Sequence, residues 1–250
     1  MVISSKLAII LGSLLIFGVL ENLFPFYTYK QGLINRMATN FGLGLLNAIA
    51  ASLTTIFLAK WLQQQTTWQG LFHNLQPIWL VGILSILILD LYMYFWHRLM
   101  HTWPLAWRFH AIHHTDRSMN VSTAYRFHVI EVIASYFPKI LLIWFLGIAI
   151  QPLLIYELAF ILVIVFHHSN WALGYECDRI LSYFIVTPNY HRIHHSQIVE
   201  ETNSNYASLL TIWDRIFQSF RHRDDPKNIK LGLSQAEKEL NLISLLRLSF

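Results

Sequence analysis

The sequence predicts an all-α, polytopic membrane protein with a histidine-rich helical cap at one end of its spans. Three observations predict it. Of 250 residues, 55% are hydrophobic and 13% charged, and the mean hydropathy is +0.43, which leaves too little polar surface for a water-soluble domain. Uncharged apolar runs reach the length of a bilayer span. Eight of the thirteen histidines fall into three clusters beside those runs: His97-x3-His101, His110-x2-His113-His114 and His191-x2-His194-His195.

Residues 7–20 form an apolar stretch closed by Glu21, extendable through Leu23 and Phe24 if the acid reaches the interface. No small-residue cleavage site follows it, so an uncleaved anchor is expected rather than a signal peptide. Residues 41–59 run without charge for a full span, and residues 78–96 do so with the single exception of Asp90. Residues 132–150 hold Pro138 and Lys139, and residues 153–166 are shorter and hold Glu157, so a hairpin that need not cross fully is expected. The total is about four spans, or fewer spans plus that hairpin. No Gly/Ser/Pro-rich linker divides the chain, so residues 1–250 are expected to form one domain, with the histidine region at 90–220. Near the end, Ser234-Gln235-Ala236-Glu237 has capping-box spacing and opens an expected helix with Leu240, Ile243 and Leu246 on related turns.

Charge sets the orientation. Segments 21–40, 97–128 and 169–250 carry two, four and nine Lys/Arg, leaving only Lys6, Lys60 and Lys139 elsewhere. All three histidine clusters lie in these basic segments, so the site is expected on the cytoplasmic face. The net charge of +4 is scattered beside apolar runs, which favours anionic lipid headgroups over nucleic acid. The single cysteine, Cys177, excludes an internal disulfide framework and is read as a packing residue.

On a helix, positions four apart share one face, so His97 and His101, His110 and His114, and His191 and His195 form three converging pairs. Lone histidines such as His73 and His222 are ordinary packing or surface groups. Eight clustered imidazoles in so apolar a chain are different, because burying them without a partner is costly. Structural zinc is satisfied by four ligands and commonly recruits cysteine. Eight or more imidazoles suffice for two metals with open positions, and two irons are the first choice. Zinc can displace iron from such a site by affinity alone. Neutral ligands leave the centre strongly positive, so Asp90, Asp116, Glu131, Asp178 and Asp214 are candidates to orient the rings and offset charge. Asp90 sits two helical turns before His97; its other reading is a polar contact to a neighbouring helix.

The blocks Trp96-His97-Arg98-Leu99-Met100-His101, Trp107-Arg108-Phe109-His110-Ala111-Ile112-His113-His114 and Thr187-Pro188-Asn189-Tyr190-His191-Arg192-Ile193-His194-His195-Ser196 resemble the fatty acid hydroxylase/sterol desaturase superfamily. These are membrane enzymes with an all-histidine di-metal site that use dioxygen on lipids. Asn205-Tyr206 and Trp213-Asp214-Arg215-Ile216-Phe217 resemble the family's closing segment. Arg126-Phe127-His128-Val129-Ile130-Glu131 resembles a His-Pro-x-Glu element with Val129 in place of proline, and His167-His168-Ser169-Asn170 resembles a His-Ser-Asn element. The resemblance makes His128 and His168 the ninth and tenth ligands, with His167 the weaker candidate, and places Asn170 among the supporting residues.

It further implies hydroxylation or desaturation of a C–H bond on a fatty acyl chain, sterol or ether lipid. No dinucleotide fingerprint, flavin motif or Cys-x-x-Cys-His appears, so electrons are expected from a separate reductase with cytochrome b5, or from a ferredoxin. Trp96, Trp103, Trp107, Trp171, Trp213, Tyr190 and Tyr206 are candidates to line a lipid entrance or, with more weight, to anchor the interface. Arg98, Arg108, Arg126 and Arg192 are candidates to bind a lipid phosphate or carboxylate, or to pair with the acids. Haem between spans would need lone histidines facing one another inside them, and a zinc hydrolase would need H-E-x-x-H. A catalytically inactive metal- or lipid-binding relative of the same fold stays open.

Overall fold

The computed structural model describes residues 2–29, 33–64, 68–234 and 240–247, with no strand among them beyond isolated bridges. Eleven α-helices are described: α1 (Val2–Leu23), α2 (Leu33–Gln63), α3 (Ile78–Thr102), α4 (Pro104–His114), α5 (Val129–Leu146), α6 (Ile150–His168), α7 (Tyr175–Leu181), α8 (Pro188–His194), α9 (Val199–Thr202), α10 (Ile212–Ile216) and α11 (Leu242–Arg247). Four of them, α2, α3, α5 and α6, are long and apolar enough to cross a membrane. The capping box expected at 234–237 lies largely outside the described residues; α11 carries Ile243 and Leu246.

Helix α2 begins eight residues before the run of apolar sequence. Its buried residues Arg36, Asn40, Leu43, Asn47, Ala51, Leu58 and Leu62 follow helical spacing along one stripe, polar at one end and apolar at the other. The polar end holds the connection from α4 to α5: Arg36 donates to Ser118 O at 3.2 Å, and Asn47 Nδ2 donates to Phe127 O at 2.9 Å. Helix α1 docks on α6, and Glu21 at its end accepts from Val121 N at 3.0 Å and Asn170 N at 2.8 Å. The acid that marked the edge of the apolar run is thus a buried clamp.

The expected hairpin is α5 and α6, each of span length. Lys139 and Glu157, which argued against crossing when taken singly, form an ion pair with each other across it. The Lys139 ammonium also lies 5.5 Å and 5.6 Å from the Tyr136 and Tyr156 ring centroids. Mutual neutralisation makes both helices tolerable in hydrocarbon. The hairpin turns at Gly147, whose φ of 70° closes α5; its N–H donates to Ile143 O at 2.9 Å. A Cβ at Gly147 would stand 2.7 Å from Gln69 O, and one at Gly70 (φ +90°) would stand 2.2 Å from Gly147 Cα. Two glycines therefore let the loop before α3 cross the hairpin in backbone contact, sealed by Phe72 N–H to Leu146 O at 2.8 Å. The main apolar core lies between these elements, around Leu89, Tyr156, Val163, Val186 and Leu209. Cys177, expected in packing, is exposed on α7, where it faces away from this core.

Lys139→Met removes the cationic partner of a membrane-embedded Glu157. The single variant should lose about 3–5 kcal/mol, and Lys139→Met/Glu157→Met should recover most of it. Thermal unfolding of the three proteins in one detergent checks this; equal stability of the single variant and the native chain would refute the pairing.

Candidate metal centre

The histidines gather where α3 and α6 end and α5 begins. Helix α3 continues beyond its apolar run, carrying His97 and His101 to the end of the span. The chain then turns at the extended residue Trp103 into α4, with Pro104 at the first helical position where no N–H is needed. Helix α4 brings His110, His113 and His114, and α6 ends on His167 and His168. Helix α8 is short and almost wholly buried, so its start is satisfied from within the protein: Thr187 Oγ1 accepts from Tyr190 N, and Asp178 accepts from Thr187 Oγ1 at 2.8 Å and Asn189 N at 3.1 Å.

Two groups result, each able to hold a metal ion: His97, His101, His110, His114 and His194; and His113, His168, His191 and His195. Within each group the ligand atoms lie within 4.8 Å of one another. The H-x2-HH blocks are shared between them. Each pair four apart, His110/His114 or His191/His195, faces its own group, while the intervening His113 or His194 points round the helix into the other.

Ring orientation is set through Nδ1. His97 donates to Tyr206 O at 2.7 Å, His113 to Arg126 O at 3.2 Å, His168 to Ile164 O at 2.7 Å, His194 to Ser204 O at 2.7 Å, and His110 to Glu131 Oε1 at 2.8 Å. A carbonyl or carboxylate only accepts, so each Nδ1 carries the proton and Nε2 of the neutral ring is a bare lone pair. In two pairs these lone pairs face one another, His97 to His110 at 3.2 Å and His113 to His168 at 3.1 Å between Nε2 atoms; His168 Nε2 also lies 3.0 Å from Nε2 of His191, whose Nδ1 has no partner among the described residues. Such contacts repel unless a proton or cation lies between them. Burial, then neighbouring rings, pushes His113, His114, His191 and His195 well below the usual imidazole value. Burial likewise lowers His194 to about 3, so protons are disfavoured there. Nitrogens bound to one metal at about 2.1 Å stand roughly 3.0–3.4 Å apart, so the donor set fits a metal cation.

Not every expected residue joins. His128 stands outside both groups: its Nδ1 accepts from Ile130 N at 3.1 Å as the cap of α5, and its Nε2 lies 3.3 Å from Leu246 O. Of the acids, only Glu131 touches a ring of the two groups. Asp90 instead accepts from Trp213 Nε1 at 2.7 Å and Leu210 N at 3.1 Å, the interhelical contact that was its other reading. Asp214 accepts from Tyr190 OH, Ser219 Oγ and the amides of Tyr206 and Ala207, fixing the loop whose Tyr206 carbonyl holds His97. Asn170 bonds both backbone groups of Tyr27, and Asp116 accepts from Asn40 and Thr123. Buried Arg126 and Arg192 are spent on the protein itself. Arg126 donates to Ile112 O and Thr115 Oγ1 at the end of α4, and Arg192 donates to Ser169 O and Trp171 O and lies over the Phe26 ring. The carbonyl tethers had no signal in the sequence, since every residue owns a carbonyl.

Two spaces reach the histidines. An open cleft of about 370 Å³ meets His101 beside Trp107, whose ring centroid lies 5.0 Å from that of His101. On the other side, a cavity of about 50 Å³ touches both groups and is walled by Met93, Trp96, Phe127, Phe160 and Ile164.

Fold and site define a helical membrane protein with buried histidine groups able to hold metal. The fatty acid hydroxylase family model matches residues 82–219, and the chain belongs to that family. It is 31% identical to an ornithine lipid hydroxylase of Rhizobium tropici over 61% of this chain and 45% of the relative. It is 32% identical to an alkylglycerol monooxygenase of Danio rerio over 62% of this chain and 34% of that protein. It is 25% identical to a cholesterol 25-hydroxylase of Rattus norvegicus over 60% and 50% respectively. The chain thus spans half or less of the length of these relatives. No solved structure matches it.

His194→Ala should lose at least half of the bound metal, whereas His128→Ala should keep the native content; metal analysis of both purified variants decides. In metal-free protein, acid should destabilise the fold. Below about pH 6.5, the ordinary histidine value, the unfolded chain binds protons that these buried rings refuse, so stability falls as pH drops from there toward 3. The apoprotein's Tm should be lower at pH 5 than at pH 7.5, and an unchanged Tm would count against neutral rings.

Proposed function

We propose that this protein is a membrane-bound, dioxygen-dependent lipid hydroxylase holding two irons, one in each histidine group. The observation that carries this reading is the facing of bare Nε2 atoms at 3.1–3.2 Å beside an apolar cavity that touches both groups. Iron held there supplies activation of dioxygen and oxidation of an unactivated C–H bond. The chain's own residues do the rest. Tyr206, Arg126, Ile164 and Ser204 hold the rings' Nδ1 protons through their carbonyls, so the rings present Nε2 inward without reorganising. Met93, Trp96, Phe127, Phe160 and Ile164 exclude water and accept hydrocarbon.

Hydroxylation of one C–H bond consumes dioxygen, two electrons and two protons and releases water. The electrons come from a separate donor, a reductase with cytochrome b5 or a ferredoxin, reaching the centre from the side of the cleft at His101 and Trp107. The basic segments around the histidines favour a cytoplasmic position for the centre. The activities for which the relatives are named, on ornithine lipid, alkylglycerol and cholesterol, support an amphipathic lipid as substrate.

Detergent-purified protein produced with iron supplied should hold about two metal ions per chain. Given reductant, lipid extract and oxygen-18 gas, the native chain should yield a lipid product carrying the label, and His113→Ala should yield none, while His222→Ala should behave as native. Absence of metal from folded native protein, or normal product from His113→Ala, would sink the proposal.

A further inference from the structure

The cavity beside the histidines is lined by two buried residues, Glu131 and His167, with polar atoms that bond nothing among the described residues. Glu131 is 6% exposed and spends Oε1 on His110, but its Oε2 finds no hydrogen-bond partner among the described residues. His167 is 0% exposed, lies outside both metal groups, and neither ring nitrogen finds a partner among the described residues. Both line the cavity. Leaving such groups buried and unbonded is costly, so their persistence in this buried wall calls for a complement.

We propose that Glu131 and His167 form a recognition site for a lipid bearing an O–H or N–H group a few bonds from the carbon that is oxidised. This rests on the oxygenase reading above and narrows its substrate. A carboxylate oxygen only accepts, so its complement is a donor; a neutral imidazole offers one donor and one acceptor. A hydroxyl or an amide meets both demands at once. An ether or ester oxygen has no proton for Glu131, and a plain methylene run satisfies neither group. The room is adequate: about 50 Å³ compares with the roughly 10–15 Å³ needed for one water on the same scale. The tail has a path as well. Met93 lies one turn before His97 and Phe160 two turns before His168, so the cavity wall runs from the ligands toward the bilayer interior. Because the cavity touches rings of both groups, a polar atom held at Glu131 keeps the adjoining carbons beside the centre. Oxidation then falls near the polar end of the lipid and not in mid-chain.

The test is equilibrium binding of tritiated 1-hexadecanol and tritiated hexadecane to the full metal-loaded chain in detergent, each corrected for uptake by protein-free micelles. The native protein should prefer the alcohol by tenfold or more. His167→Leu should narrow the preference to threefold or less while keeping the native metal content, and His167→Asn, which retains a donor and an acceptor, should restore it. Equal binding of the two probes by the native chain would overturn the proposal and leave water as the cavity's only occupant. Loss of metal in His167→Leu would overturn it in favour of a ligand role for the ring. If His167→Leu does not fold, the native and His167→Asn proteins still decide. No turnover is read, so failure of the oxygenase reading would appear separately, as a native alcohol preference without labelled product.

Discussion

Bare imidazole lone pairs packed 3.1–3.2 Å apart in a buried interior are the constraint on which the rest of this structure depends. Left alone they repel and would rotate apart, and the four rings of these pairs are each held by the other nitrogen. Those tethers are mostly backbone carbonyls, which forces the loops that own them to be rigid. Asp214 pins the segment that presents Tyr206, Arg126 braces the end of α4, and Asp178 with Thr187 anchors the start of α8. Much of the buried polar network is therefore in the service of ring orientation. The same demand explains why buried arginines are consumed internally and are not offered to lipid.

In the membrane part several polar groups find their partners within the protein. Lys139 and Glu157 neutralise each other between α5 and α6, Glu21 caps two amides where α1 meets α6, and Asp90 takes the indole N–H of Trp213. Glu131 Oε2 and both ring nitrogens of His167 have no hydrogen-bond partner among the described residues. They sit where the hydrocarbon part meets the metal centre, which is where a lipid would bring its own hydrogen bonds.

Much of this was legible in the chain. Apolar runs located the spans because length and missing charge are one-dimensional properties. The three histidine clusters announced a candidate metal centre because helical spacing converts i, i+4 into a shared face. Eight clustered histidines and His168 all fall within the two groups. Where sequence logic slipped, it treated residues singly: Lys139 and Glu157 each counted against a span, and Asp90 was drawn toward His97 by helical phase alone. His128 matched a motif, yet its ring caps α5, since a histidine at a helix start has a backbone amide within immediate reach.

By itself the sequence determined the class of protein, an all-helical membrane protein with clustered imidazoles able to hold metal, because composition, run length and residue spacing act locally. Only the tertiary structure decided how nine imidazoles divide into two groups, which carbonyls aim them, and which polar atoms are left facing the cavity. Those outcomes depend on where α4, α6 and α8 meet and on backbone groups common to every residue. A close crossing such as Gly70 over Gly147 becomes visible only when segments distant in the chain are brought into contact.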